Sequence, residues 1–169
     1  MYILTPGASI GYEPSAKFID YVQGAIKAKI QLVVCLDQLI DSTTVSDEAP
    51  NLYIYDSQRS SQSSIRDAFV YSLKQEVKRN PDVVTSVVET GVYEVQNEFV
   101  PFEHVAYATK GLAAITLTVK HPDNIPQSRF EKFSVLDTEM CLCKLSKLLF
   151  VLNEAVAQTI VSPDLEIEG

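Results

Sequence analysis

The side chains best suited to nucleophilic or metal chemistry in this 169-residue chain are three thiols and two imidazoles: Cys35, Cys141, Cys143, His104 and His121. Metal binding needs such ligands converging on one point at chelating spacing. Cys141 and Cys143 fall in a helix-like stretch, where residues i and i+2 project about 200° apart, so the two thiols do not share an ion. No second cysteine or histidine stands near His104 or His121 in sequence. No metal site is therefore expected, and the thiols read as packed apolar side chains. A Cys–His nucleophile pair assembles from distant positions and leaves no local signature; Cys35 with either histidine stays open on this ground.

Other catalytic patterns are absent from the chain. It holds no Gly-x-Ser-x-Gly elbow, Walker loop or Gly-x-Gly-x-x-Gly turn. The segment GASIG from Gly7 to Gly11 lacks the preceding strand and the lysine that a phosphate cradle uses. Carboxylates group at Asp47 and Glu48, at Glu94, Glu98 and Glu103, and at Asp164, Glu166 and Glu168. Without a tryptophan in the chain to stack on a sugar, solvated loops explain these acids better than glycoside chemistry does. The expectation is a protein with no catalytic residues, no cofactor and no metal.

The elements that would position these residues follow from bulk composition and periodicity. At 46% hydrophobic, the chain has enough material for one core and reads as a single domain. A net charge of −8 disfavours nucleic-acid and anionic-membrane partners, which need a positive footprint. The odd set of cysteines suits a reducing compartment. The opening MYILTPGASIGYEP does not read as a signal peptide, and no apolar run approaches the roughly 18 to 20 residues that span a bilayer. A cytoplasmic location and no membrane partner are expected.

Residues 1–14 read as an extended arm, interrupted by Pro6, Gly7, Gly11 and Pro14. A first helix is predicted over 15–41, capped by Ser15, with Leu32 to Leu36 apolar on every side. The acidic loop after it leads to a half-buried strand at Asn51 to Asp56, with Leu52 and Ile54 on one face and Tyr53 and Tyr55 on the other. The serine-rich SQRSSQSS from Ser57 reads as a mobile loop that orders against a partner. A second helix is predicted over 64–80, ending at Asn80 and Pro81. Asp82 to Val95 reads as a strand bent or bulged at Gly91, with a helical turn at Val83 to Glu89 as the alternative. His104 to Lys110 and Leu112 to Lys120 read as strands forming an antiparallel pair with what precedes them. A last helix is predicted over 134–161 with its main stripe on Leu145, Leu148, Leu149, Leu152, Val156 and Ile160; Leu142, Phe150 and Val151 lie off it. Residues 163–169 form an acidic tail. The expected fold class is α+β: a mixed or antiparallel sheet of about four strands against two or three helices, one of them long and C-terminal.

The order of the first helix, NLYIYD at 51–56, the helix from Ser64, DVVTSVVETGVYEV at 82–95 and VAYATKGLAAITLTVKHP at 105–122 resembles the small tail terminator and neck-completion subunits of tailed phages. The resemblance covers roughly two thirds of the chain and is one of pattern, without a diagnostic motif. Two features depart from the family pattern: SQRSSQSS and a helix stand where a second strand follows closely, and the final helix has no counterpart in the minimal form. The resemblance implies a structural subunit of six-membered rings that joins tail tube to head connector. Its partners would be copies of itself and neighbouring tail-tube or connector proteins, and its location the virion after assembly in the host cytoplasm. An acidic ring would repel passing DNA rather than grip it. Candidate interface residues are Tyr2, Ile3 and Leu4 of the arm, Tyr53 and Tyr55 of the sheet, Arg59 of the polar loop, and Leu148, Phe150 and Leu152 of the last helix. A small enzyme with scattered site residues, or a monomeric binding module using the Ser57 to Ser64 loop, are the rival readings.

Overall fold

The computed structural model of the chain describes residues 13–26, 30–40, 48–93, 102–121 and 138–161. Helix α1 spans Glu13–Ile26, strand β1 Val33–Leu36, strand β2 Asn51–Asp56, helix α2 Ser64–Arg79, strand β3 Ser86–Val92, helix α3 His104–Ala108, strand β4 Ala114–Thr118 and helix α4 Thr138–Val161. The fold is α+β. The four strands form one mixed sheet in the order β1-β4-β2-β3. β1 runs parallel to β4 and β2 parallel to β3, while the central pair β2 and β4 is antiparallel.

That central pair is buried on both faces. Every residue of β4, and every residue of β2 except Asn51, is shielded from solvent. Alternation along a strand sends successive side chains to opposite faces. Leu52, Ile54, Ile115 and Leu117 accordingly meet α2 and α4 in the main core, beside Phe69, Leu73, Leu148 and Val151. Tyr53 and Tyr55 turn the other way, where Phe102 closes over them. Cys35 and Ala114 on that same face meet Ile19 of α1 and Tyr107 of α3. Helices thus cover both sides of the sheet, so β2 is fully buried rather than half-buried as its alternation predicts.

Three elements differ from expectation. Leu32 to Leu36 is not the end of a long first helix; α1 stops at Ile26 and the apolar run supplies β1. Leu32 and Val34 pack on the main core and Val33 and Cys35 on the opposite cluster, so this edge strand is apolar on both sides although only Cys35 is buried and Leu36 is exposed. His104 to Ala108 is a helix rather than a strand: its alternating Val105 and Tyr107 imitate a period of two because His104 and Ala106 are buried as well. It therefore forms no antiparallel pair, whereas β4 does pair antiparallel with the preceding β2, and parallel with β1. The serine-rich segment is folded, with a 3-10 turn at Ser60–Gln62, and both Ser57 and Ser60 are fully buried. The backbone N–H of Ser57 donates to Ser60 Oγ at 2.9 Å and that of Ser60 to Ser57 Oγ at 3.1 Å, so serine hydroxyls supply locally what a longer strand would supply by pairing.

The bend at Gly91 is a β-bulge. Pairing steps from Ile54 opposite Glu89 to Tyr55 opposite Gly91, leaving Thr90 as the extra residue. Gly91 has φ +90°, a backbone region that a side chain makes costly. Thr90 Oγ1 donates to the Ile54 carbonyl at 2.6 Å.

α4 starts at Thr138; residues 134–137, the predicted tail at 163–169 and residues 1–12 of the predicted arm lie outside the described residues, whereas Glu13 and Pro14, expected to end that arm, open α1. The buried side of α4 holds Leu148, Val151, Leu152, Ala155 and Thr159, so the stripe is rotated from the predicted one: Val151 is in the core, while Leu149 and Ile160 are exposed. Gln158 Nε2 donates to the buried carboxylate of Glu76 on α2, fixing the two helices against each other. Replacing Leu148 by alanine is expected to cost about 2–5 kcal/mol by leaving a cavity. Replacing the exposed Leu142 by alanine should change stability by less than about 0.5 kcal/mol. Equilibrium unfolding in urea measures both.

Candidate functional site

The structure brings the first chemical candidates together through one threonine. Cys35 on β1 and Thr116 on β4 are paired across the parallel ladder, on the same face. Thr116 Oγ1 lies 2.8 Å from Nδ1 of His104, and Nε2 of His104 lies 2.9 Å from the Tyr93 carbonyl oxygen. A carbonyl only accepts, so Nε2 carries a proton and donates; in the neutral ring Nδ1 then accepts from the threonine hydroxyl. Thr116 also bonds the Cys35 thiol. Cys35, Thr116 and His104 are all buried, the last two completely.

This arrangement lacks what a thiol nucleophile requires. A reactive cysteine sits in an electropositive, partly open environment that lowers its pKa. Burial raises that of Cys35 well above its ordinary value, the negative charges of Glu103 and Asp37 raise it further, and only the Thr116 bond opposes them. Both nitrogens of His104 are engaged in tying α3 to β4 and to the end of β3. Phe102 stacks on the His104 ring and on Tyr55, and Tyr93 meets Phe102 edge-on. The relay is buried polar packing that fixes one face of the sheet.

A second polar cluster lies on the opposite face. Asp56, at the end of β2, shares the face of Leu52 and Ile54 and receives a forked pair from Arg66 of α2: Nε to Oδ1 at 2.9 Å and Nη2 to Oδ2 at 2.5 Å. Arg66 Nη1 reaches Glu89 of β3 at 2.7 Å and Asp67 at 3.2 Å, and Lys74 also pairs with Glu89. Burial alone would lower the Arg66 pKa, but hydrogen bonds to Asp56 and Glu89 outweigh it and raise it. The Glu89 carboxyl is held below the usual carboxylate range chiefly by its bond to Lys74; burial opposes this, and the bond to Arg66 adds to the lowering. Three acids and two basic groups meet here at close range and anchor α2 to the sheet. Ten residues separate Asp56 from Arg66, a spacing with no local signature, so sequence reading does not find this pair.

The third cluster joins α1 to α3. Ser15 Oγ and Tyr107 Oη both donate to Glu103 Oε1, at 2.5 and 3.1 Å. Burial raises the Tyr107 phenol above its usual range, and the charge of Glu103 adds to this. Glu103 is thus a structural acceptor rather than one member of a solvated acidic group. Among the described residues no group of three or more histidine, cysteine or acidic side chains could hold a metal ion.

The candidate interface residues divide sharply. Tyr2, Ile3 and Leu4 lie outside the described residues. Tyr53, Tyr55, Leu148 and Leu152 are buried by their own chain, which corrects their placement at an interface: the sheet has a helical layer on each face, and α4 turns both leucines into the core. Arg59 and Phe150 are exposed, and Phe150 has company. On α4 Leu142, Phe150 and Ile160 are 60%, 58% and 71% exposed, with Met140, Leu149 and Val161 also open. The first turns of α4, from Glu139 to Lys147, hold no buried residue. Sequence reading gives Leu142 and Phe150 correctly as lying off the core stripe and misses Leu149 and Ile160, because a rotation of the stripe by part of a turn exchanges one flank of the helix for the other. The exposed side of α4 is the candidate functional site.

No protein-family model matches the chain, and no match to a curated protein is found. In the native protein the buried Cys35 is expected to resist a disulfide reagent such as Ellman's reagent and to react only after unfolding. Labelling followed by peptide mass mapping checks this; rapid native modification of Cys35 would contradict its role as packed core.

Proposed function

We propose that this chain is a non-enzymatic structural subunit that assembles with copies of itself. The observation that carries the reading is the run of large apolar side chains along α4 that stays exposed although the core beneath it is complete. Contiguous exposed apolar surface on a protein marks an interaction site, and closed assembly of identical subunits is the commonest use of such a surface. The neutralised polar clusters support the non-enzymatic part: the thiol, the imidazole and the best-placed carboxylates each hold elements of the fold together. The folded state of Ser57 to Ser60 weakens the rival in which that segment orders on a partner.

Within this class, the resemblance of the segment order to tail terminator and neck-completion proteins favours a ring-like subunit of a phage virion, joining a tail tube to the head connector. The α+β sheet is compatible with that reading, and no helix among the described residues is long and apolar enough to cross a membrane. Light scattering after size-exclusion chromatography at micromolar concentration should give a mass several times that of the 18.8 kDa chain. A monomer over the whole accessible concentration range would contradict the self-assembly. Genes for tail-tube or sheath proteins beside this one are expected, and purely metabolic neighbours would end the phage placement.

A further inference from the structure

The exposed side of α4 has an order of charges that complements itself. Facing away from the core, Cys143, Ser146, Phe150, Asn153, Ala157 and Ile160 follow at alternating three- and four-residue steps along the 24-residue helix, the spacing of a seam between two helices. One flank of this strip, next to the core, carries Leu142, Leu149 and the half-buried Val156. The opposite flank carries Lys147 and Glu154, both exposed, two turns apart and on the same side of the seam. Neither makes an ion pair with another of the described residues.

We infer that α4 pairs antiparallel with α4 of a second copy, about a two-fold axis passing between Phe150 and Val151. This rests on the self-assembly proposed above and names its contact. In an antiparallel pair, residues on the same flank of the two helices face each other, and about this axis Lys147 meets Glu154 of the second copy while Glu154 meets its Lys147. Phe150 and Leu149 approach their own equivalents at the centre, and Leu142 reaches toward Val156 and Ile160 of the other helix. A parallel pair in register would instead set Lys147 and Glu154 against the apolar flank of Leu142 and Leu149 on the other helix, where neither charge finds a partner. The helix is about 36 Å long at 1.5 Å per residue, so the contact can run over several turns.

A membrane surface fits this face less well. Helices that lie in the interface carry basic residues along the polar flanks, whereas here the signs alternate and the chain has a net charge of −8. A two-fold contact closes on itself, so any larger ring needs a second, different contact to link such pairs.

Charge reversal tests the pairing. Lys147→Glu and Glu154→Lys should each weaken self-association roughly tenfold, since each replaces both cross-helix attractions by repulsions. The double variant K147E/E154K should recover to within about threefold of the unchanged protein, because the swap restores opposite signs across the seam. Both positions are exposed, so all three variants are expected to keep the native circular dichroism spectrum. Sedimentation equilibrium at low and high salt gives the constants, with weaker association of the unchanged protein at high salt. Single variants that associate normally, or a double variant no better than the singles, would overturn the antiparallel pairing while leaving self-assembly standing. An unchanged protein that is monomeric throughout would overturn both, and recovery in the double variant would establish the contact.

Discussion

Burial of the antiparallel pair β2 and β4 on both faces is the constraint on which the rest of the structure depends. A sheet with one wet face needs one helical layer; this one needs two, because Leu52, Ile54, Ile115 and Leu117 point one way and Tyr53, Tyr55, Ala114 and Thr116 the other. α2 and α4 meet the first demand, and α1, α3 and Phe102 the second. The polar groups caught inside follow from the same constraint. Asp56 ends β2 beneath α2 and needs the Arg66 fork, and Thr116 lies on the covered face of β4 and needs His104. A buried polar group without a partner costs more than its hydrogen bond gains, so each of these pairs is a condition for burying the sheet rather than an addition to it.

The same accounting makes α4 unusual. Its inner side completes the core with Leu148, Val151, Leu152 and Ala155, and Gln158 is held by Glu76. Nothing among the described residues requires Leu142, Phe150 or Ile160 to be apolar, and large exposed apolar side chains in series are a liability for a solitary protein. On the proposed assembly, a second copy would convert that liability into binding energy. Firm seating of the inner side on α2 and the sheet pre-organises the outer side, which lowers the entropic cost of association.

Much of this architecture is legible in the sequence because it rests on local pattern. β2, α2, the bulge at Gly91 and β4 announce themselves through alternation, a Pro81 stop, a glycine among β-branched residues and the Ile-Thr-Leu-Thr run. The misread elements share a cause: apolar contacts on more than one side, complete for α3 and partial for β1, erase the polar phase that distinguishes a period of two from one of 3.6. This turned the apolar run of β1 into imagined helix and His104 to Ala108 into imagined strand. The serine-rich segment failed differently, because composition does not reveal that Ser57 and Ser60 bond each other's backbone. The polar clusters join residues far apart in the chain and need the topology first. For α4 the surplus of apolar residues was readable, and which flank they occupy was not, since the core-facing side is set by contact with α2.

The central claim is that the outer side of α4 is covered by another copy of the chain in solution. Carbene footprinting of the side chains, followed as the protein is diluted from high to low concentration, tests it most directly. The account predicts that Leu142, Leu149, Phe150 and Ile160 are protected together at high concentration and become labelled on dilution, while exposed Tyr21 and Tyr71 are labelled equally throughout. Uniform, concentration-independent labelling of the four α4 positions would contradict it.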